Sequence, residues 1–439
     1  MSSNPQNMPL NRRQAPPLHA IDTLNIATPH EFTLPNGIEV CWFEQVPAEV
    51  MQIKIVLPAG RWYQNQPCLA NITNRMIREG TKKHNAEQLA EKVEFYGAVF
   101  RSGAYSHFAE LTVNGLVKHL PMLLPVLAEL ATEPSFPENE LQIVANNAAQ
   151  RQTINLQRAD FLADQAFNTQ IWGNEHPYAN QISPNDFLAI TPKQCQQFFK
   201  QHYQLQNARI YLTGPLSTKD LALIEQYFGQ NQQSSKANNK KQPTAETIAH
   251  QAQPASPGLH YIGRENNMQA SIRVGLPLFN QTHPHYNGML MLHTLLGGYF
   301  GSRLNQTLRE ERGLTYGVYS SISSYLQGGS FAVSTEARAD AWQQVITEIT
   351  AEVERLQQRP VKPAELTTAR NYILGTMLAG LDGAFNLSET YQGLHAYGQN
   401  IDHLHQQIAE FRTITPKQLQ DLAKEHLNIN EFRTVVVGQ

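Results

Sequence analysis

The chain has 439 residues, 41% of them hydrophobic and 16% charged, with a formal net charge of −3. That length exceeds the ~100–200 residues of a usual single domain, and the apolar fraction is enough for two cores, which excludes a disordered polypeptide. Near-neutral charge leaves no basic footprint for nucleic acid, and without an apolar run of about 18 residues the sequence offers no helical membrane span.

The segment Met1 to Ala20 is rich in Asn, Gln and Pro and has no apolar stretch, so a flexible arm is expected over 1–25, with no secretory signal as written. Leu34-Pro-Asn-Gly37, set between apolar alternations, predicts a hairpin over Glu31 to Phe43, and Gln52 to Leu57 reads as a further strand. From Cys68 to Arg78 the residues Leu69, Ile72, Met76 and Ile77 recur at helical spacing, and Lys82 to Tyr96 supplies another amphipathic helix. A polar run from Gln230 to Pro243, closing at Pro254-Ala-Ser-Pro257-Gly258, predicts an interdomain linker over 229–258. Beyond it come a strand at Gln269 to Leu276 and a helix at Tyr286 to Leu296. Val318 to Tyr325 and Phe331 to Thr335 form a hairpin turned at Gln327-Gly328-Gly329, before helices at Ala341 to Gln357 and Pro363 to Leu378.

One pentapeptide occurs twice. Ile190-Thr191-Pro192-Lys193-Gln194 returns as Ile414-Thr415-Pro416-Lys417-Gln418, displaced by 224 residues (414 − 190). Each copy continues through Lys200-x-His202 or Lys424-x-His426 into an apolar strand that ends at Gly214 or Gly438. Upstream, Pro134-Ser-Phe-Pro137 matches Pro360-Val-Lys-Pro363. Ordered echoes at nearly one offset imply a tandem duplication. The expected fold is α+β, two homologous sheet-plus-helix domains over 26–228 and 259–439.

Candidate chemistry is sparse by spacing alone. Cys41, Cys68 and Cys195 lie far apart and read as buried thiols. Among 16 histidines, His283-x-His285 flanks Pro284 in a loop, and His403-x-His405, even with Asp402, puts only two ligands on one helical face; surface histidines account for them. Gly297-Gly298-Tyr299-Phe300-Gly301 lacks the G-K-[ST] of a phosphate loop.

Several segments resemble the pitrilysin-like, or inverted zincin, metallopeptidases, a family that includes the mitochondrial processing peptidases and bacterial paired zinc peptidases. They are Leu34-Pro-Asn-Gly37, Pro58-Ala-Gly60, Arg78-Glu-Gly-Thr81, Tyr96-Gly97-Ala98 and Phe136-Pro-Glu-Asn-Glu140. The longest is Gly301-Ser-Arg-Leu-Asn-Gln-Thr-Leu-Arg309-Glu-Glu-Arg-Gly-Leu-Thr-Tyr316. Active members hold zinc with H-x-x-E-H, whose two histidines share a helical face while the glutamate activates water, plus a downstream glutamate. Counted back from Glu79-Gly80-Thr81, those three positions here are Asn71, Asn74 and Arg75, and the downstream region offers Gln150, Arg151 and Gln152. A guanidinium repels a dication and an amide cannot deprotonate water, so no zinc and no peptidase activity are expected of this chain alone.

The resemblance also implies a role for the second half. Two-half members supply an arginine and a tyrosine seven residues apart, and Arg309 and Tyr316 have that spacing. The expectation is that they are donated to the active site of a homologous H-x-x-E-H partner, which carries the zinc and acts on an unfolded peptide. Gly297 and Gly298 would then line the substrate chamber. A competing account makes the arginine part of a solvated helix end stopped by Gly313, with the Tyr316 ring in the core. At the level of the whole chain, the rival is a structural assembly subunit, as respiratory-complex core subunits resemble the processing peptidases. Residence in the periplasm follows from the resemblance, with the cytoplasm as its alternative.

Overall fold

The computed structural model describes residues 26–230, 250–265 and 267–439. The arm expected over 1–25 and most of the expected linker lie outside the described residues. The first half opens with β1 (His30–Thr33), β2 (Glu39–Phe43), β3 (Val50–Leu57), α1 (Leu69–Met76), α2 (Ala86–Glu94), β4 (Val99–Ala104) and β5 (Ala109–Leu116). It continues with α3 (Leu120–Thr132), α4 (Glu138–Asn155), α5 (Ala159–Trp172), α6 (Pro184–Leu188), α7 (Pro192–His202), β6 (Arg209–Thr213) and α8 (Thr218–Ile224). The second half opens with β7 (Gly258–Gly263), β8 (Gln269–Leu278), α9 (Tyr286–His293), β9 (Thr315–Tyr325) and β10 (Gly328–Arg338). It ends with α10 (Trp342–Gln358), α11 (Pro363–Gly380), α12 (Gly383–Ala396), α13 (Ile401–Thr413), α14 (Pro416–His426) and β11 (Arg433–Gly438).

Two mixed sheets result, in the orders β1-β2-β6-β3-β5-β4 and β7-β11-β8-β10-β9. Apart from β1, each strand of the first has its counterpart at the same place in the second, down to the single parallel pairs β2 with β6 and β7 with β11. The echo read in the sequence is therefore a repeat of topology. At the heart of each copy, Thr191 and Thr415 cap α7 and α14. Their hydroxyls accept from Gln194 N and Gln418 N, and the glutamines bond back to the threonine N–H groups. Each reciprocal box satisfies two of the donors that a helix start leaves open. Thr191→Ala and Thr415→Ala should each cost about 1 kcal/mol and add in the double variant because the caps lie in different halves, as urea midpoints would register.

Pleating decides which side chains face which layer. In β6, Ile210 and Leu212 enter the main core of the first half, while Tyr211 between them points to the opposite face with Cys41, Phe43 and Val56. That opposite face is covered by Leu387 and Tyr391 of α12, a helix of the second half. The converse holds for the second sheet, where Val436 joins its own core and Val435 and Val437 meet Ala163, Phe167, Ile171 and Trp172 of α5. The two exchanged helices begin 224 residues apart (383 − 159), the displacement of the sequence repeat. Charges lock both crossings: Arg273 Nε on β8 reaches Asp164 Oδ1 on α5 at 2.6 Å, and Lys54 on β3, only 3% exposed, pairs with Glu389 and donates to Gln392 Oε1 at 3.0 Å on α12. A buried ammonium persists only with such partners.

Several boundaries differ from expectation for local reasons. The helix expected from Lys82 starts at Ala86, because the Asn85 side chain accepts from Gln88 N and fixes the first turn there. The hairpin turn is Leu326-Gln327, since Tyr325 already pairs with Gly328. The end of the expected linker is an ordered strip: Gln253 N and Ala255 N donate to Trp172 O and Gln170 O, both at 2.9 Å, satisfying carbonyls that the C-terminus of α5 leaves open.

Candidate functional site

Helix α1 carries the positions where a metal motif would stand. Asn71 is exposed, and its amide donates to Ala104 O at 3.3 Å. Asn74 is 2% exposed, donating to Tyr203 Oη at 3.1 Å and Glu110 O at 3.4 Å. One turn on, Arg75 Nε lies 3.3 Å from Glu79 Oε1, a carboxylate that Arg78 also approaches at 3.4 Å. On α4, packed against α1, Gln150 and Arg151 are exposed, while Gln152 turns inward to donate to Ile182 O at 2.8 Å. Burial, then the Arg78 guanidinium, lowers the Arg75 pKa against the opposing pull of Glu79, and Arg151 adds to the lowering. This face gathers guanidinium groups and amides already engaged with the fold, and its near carboxylate is held by two arginines. Those residues do not fit a divalent metal, which needs three or four neutral or anionic donors aimed at one point.

The second half presents Arg309 and Tyr316 quite differently. After α9 the backbone widens into a π-helical turn over Thr294–Gly298, and a second such turn, Asn305–Glu311, carries Arg309. Wide turns of this kind recur at functional sites. In β9 the register against β10 shifts: Val318 faces Thr335 and Thr315 faces Ala337, so Tyr316 and Gly317 together oppose Glu336. That is a β-bulge, which re-aims a side chain. Thr315 Oγ1 secures it by donating to Glu336 O at 2.6 Å while accepting from Gly317 N at 3.2 Å. Tyr316 emerges 93% exposed, which overturns the alternative that put its ring in the core.

Arg309 sits between aromatic rings. Its guanidinium carbon lies 4.3 Å from the Phe300 centroid and 5.6 Å from that of Tyr316. The neighbouring arginines are committed elsewhere, Arg303 in a fork to Glu365 at 2.6 and 3.0 Å and Arg312 to Glu348 at 2.8 Å. Among the described residues no carboxylate pairs with Arg309. The two rings that hold it, Phe300 and Tyr316, are exposed, so the half-buried Arg309 forms a cation on an aromatic shelf beside the edge strand β9, on which Tyr319 is exposed as well. Gly297 and Gly298 support this turn from behind. A Cβ on Gly297 would meet Ser320 N of β9 at 2.7 Å, and one on Gly298 would meet the His293 ring at 3.1 Å. Packing against β9 therefore requires Gly297 to be small, whereas Gly298 is crowded by the end of α9.

Residues 41–178 match the family model described as insulinase, peptidase family M16, and residues 189–373 match that described as the peptidase M16 inactive domain. The chain belongs to peptidase family M16. It is a non-catalytic member, and the positions of α1 where the family resemblance puts the zinc ligands hold two amides and a guanidinium. This M16 chain is 23% identical over 425 residues to an uncharacterized zinc protease of Mycobacterium tuberculosis, covering 93% of each chain. It is 21% identical over 354 residues to the uncharacterized zinc protease YmxG of Bacillus subtilis, covering 80% of this chain and 84% of that one. Its fold is shared with the peptidase M16 inactive domain from Pseudomonas fluorescens (TM-score 0.81, 24% identity, 94% of this chain and 98% of that one). It is shared likewise with a protease from Helicobacter pylori (TM-score 0.82, 17% identity, 94% and 100%).

Sequence reasoning did not find the aromatic shelf or the histidine neighbourhood. Phe300 and Tyr319 gave no signal, because an aromatic residue beside a glycine turn or in a strand reads equally as core. His283 and His285, read as surface residues, are partly exposed and lie against His426 and Glu425 of α14, a neighbourhood that spacing did not reveal. The signal that could have found them is the repeat itself: Gln201-His202 in the first copy becomes Glu425-His426 in the second.

Proposed function

We propose that this chain is the substrate-binding, non-catalytic subunit of a heterodimeric zinc metallopeptidase that processes or degrades peptides. The observation that carries the proposal is the exposed Tyr316, aimed by a β-bulge, with the Arg309 guanidinium beside its ring and free of any carboxylate among the described residues, in a chain whose own α1 does not fit a metal. The homologous partner supplies the zinc and the general base. An extended peptide can add to a sheet edge, and among the described residues β9 pairs only with β10. There the Arg309 guanidinium donates to substrate carbonyls and the Tyr316 phenol donates to the carbonyl oxygen on which negative charge develops. Both donors strengthen as that charge grows.

The purified chain, tested alone on an internally quenched peptide, is expected to give no chelator-sensitive hydrolysis. Mixed with a homologous H-x-x-E-H chain it should form an active complex whose rate exceeds that of the partner alone. Chelator-sensitive cleavage by the isolated chain would sink the proposal. A complex no faster than the partner would favour a purely structural subunit.

A further inference from the structure

Among the described residues, two places bring three side chains of metal-binding type together. In the first, Cys41 Sγ and Tyr211 Oη approach His395 Nδ1 at 3.8 and 3.2 Å, whereas Glu31 approaches Nε2 of the same ring at 3.5 Å. Donors on opposite nitrogens make a hydrogen-bonded joint between α12 and the first sheet. The second place is different in kind. His285 Nδ1 and His426 Nε2 are 2.7 Å apart, and Glu425 Oε1 lies 3.7 Å from the former and 3.5 Å from the latter. These three atoms form a triangle whose sides, 2.7 to 3.7 Å, straddle the ~3.3 Å edge of a tetrahedron with metal bonds of about 2.0–2.1 Å, so a cation would draw Glu425 in and part the two rings slightly.

We propose that His285 Nδ1, His426 Nε2 and Glu425 Oε1 bind one zinc-type divalent cation, in a site distinct from the metal position of the family. Two imidazoles and one carboxylate suit zinc and its transition-metal neighbours, whereas magnesium and calcium require oxygen cages. The rings are held in place before any ion arrives. Phe279 stacks on His283 with centroids 3.7 Å apart and meets His426 edge-on at 5.0 Å, and His283 Nδ1 accepts from the backbone N–H of His285 at 3.1 Å. The proton shared in the contact between His285 and His426 passes to a far ring nitrogen or to solvent when both facing nitrogens turn to the cation. A fourth position stays open to water or to a ligand atom of a substrate.

The first copy of the repeat shows that this is not a by-product of duplication. His202, the counterpart of His426, is 2% exposed, with its ring 4.6 Å from Phe198 and 5.4 Å from Tyr63. Gln201 stands where the second copy has Glu425, and Cys68 precedes α1 where His285 precedes α9. Only the second copy has all three ligands. A cation there would tie the first residues of α9 to the last of α14, two helices that pack together.

The test uses the full chain without a histidine tag, stripped with chelator and titrated with zinc chloride by calorimetry and with cobalt(II) by visible absorption. One saturable equivalent, cobalt bands of a four-coordinate site and a melting temperature raised by zinc are expected. Glu425→Gln and His285→Asn should each weaken binding by at least about 10-fold, while His405→Asn on α13 leaves it unchanged. Absence of saturable binding in the unaltered chain, or binding that survives both cluster substitutions, would overturn the proposal. Neither result depends on peptidase activity.

Discussion

Replacing Tyr316 by Phe is expected to lower kcat of the complex with a catalytic partner by about 100-fold, the size of effect seen when one preorganised oxyanion donor is removed. The substitution deletes a single hydroxyl from a side chain that is 93% exposed, so it leaves no cavity and should not change the folding of this chain. The loss should fall on kcat rather than KM, because the donor matters most once charge develops on the carbonyl oxygen. Arg309→Ala should instead raise KM together with its effect on kcat, since a guanidinium that binds substrate carbonyls acts already in the ground state. Lysine will not restore it, because the planar group lies over Phe300 and beside Tyr316, a stacking that an ammonium cannot reproduce. Glu310→Gln, an exposed change on the same turn, serves as the control. The decisive comparison is turnover measured alongside the zinc content of the partner: a fall with zinc retained supports donation across the interface. Unchanged turnover in both Tyr316→Phe and Arg309→Ala would return the chain to the role of an assembly subunit.

What was legible in the sequence, and what was not, follows from the range of the interactions involved. The Ile-Thr-Pro-Lys-Gln echo foretold the repeated fold because capping boxes are local: Thr191 with Gln194, and Thr415 with Gln418, need only four consecutive residues. The missing metal motif was equally readable, since Asn71, Asn74 and Arg75 occupy one helical face set by spacing. The exchange of α5 and α12 was invisible. The unbroken apolar run in Arg433-Thr-Val-Val-Val-Gly438 announces that both faces are buried, but not which half of the chain buries them. The exposure of Tyr316 was hidden for a related reason. An alternating strand predicts its direction only while the register holds, and the bulge opposite Glu336 breaks that register. Residues 285 and 426 meet across 141 positions, a distance over which a single sequence carries no pairing signal.

That exchange of helices makes the second prediction, in which a single methyl group decides between two signs. Gly275→Ala is expected to destabilise the protein by about 3 kcal/mol, at the upper end of what overpacking costs. Gly275 lies in β8, between Ala332 of β10 and Arg433 of β11, on the face that meets α5. A Cβ there would stand 1.9 Å from Phe331 O, 2.9 Å from Ala332 Cα and 2.9 Å from Phe167 Cζ. The phenyl ring could swing aside, but the carbonyl and Cα belong to a paired strand and cannot move without breaking ladder bonds. Because Phe167 belongs to the first half, the added methyl presses on the docking of the two halves as well as on the second sheet. Gly375→Ala should do the opposite. It lies exposed within α11 with nothing within 4 Å of its would-be Cβ, so alanine gains helix propensity of up to about 1 kcal/mol. Urea midpoints of the two variants should therefore move in opposite directions from that of the unaltered chain. If Gly275→Ala unfolds at the unaltered midpoint, β8 and β10 do not approach as closely as described, and the account of α5 seated on the second sheet fails with it.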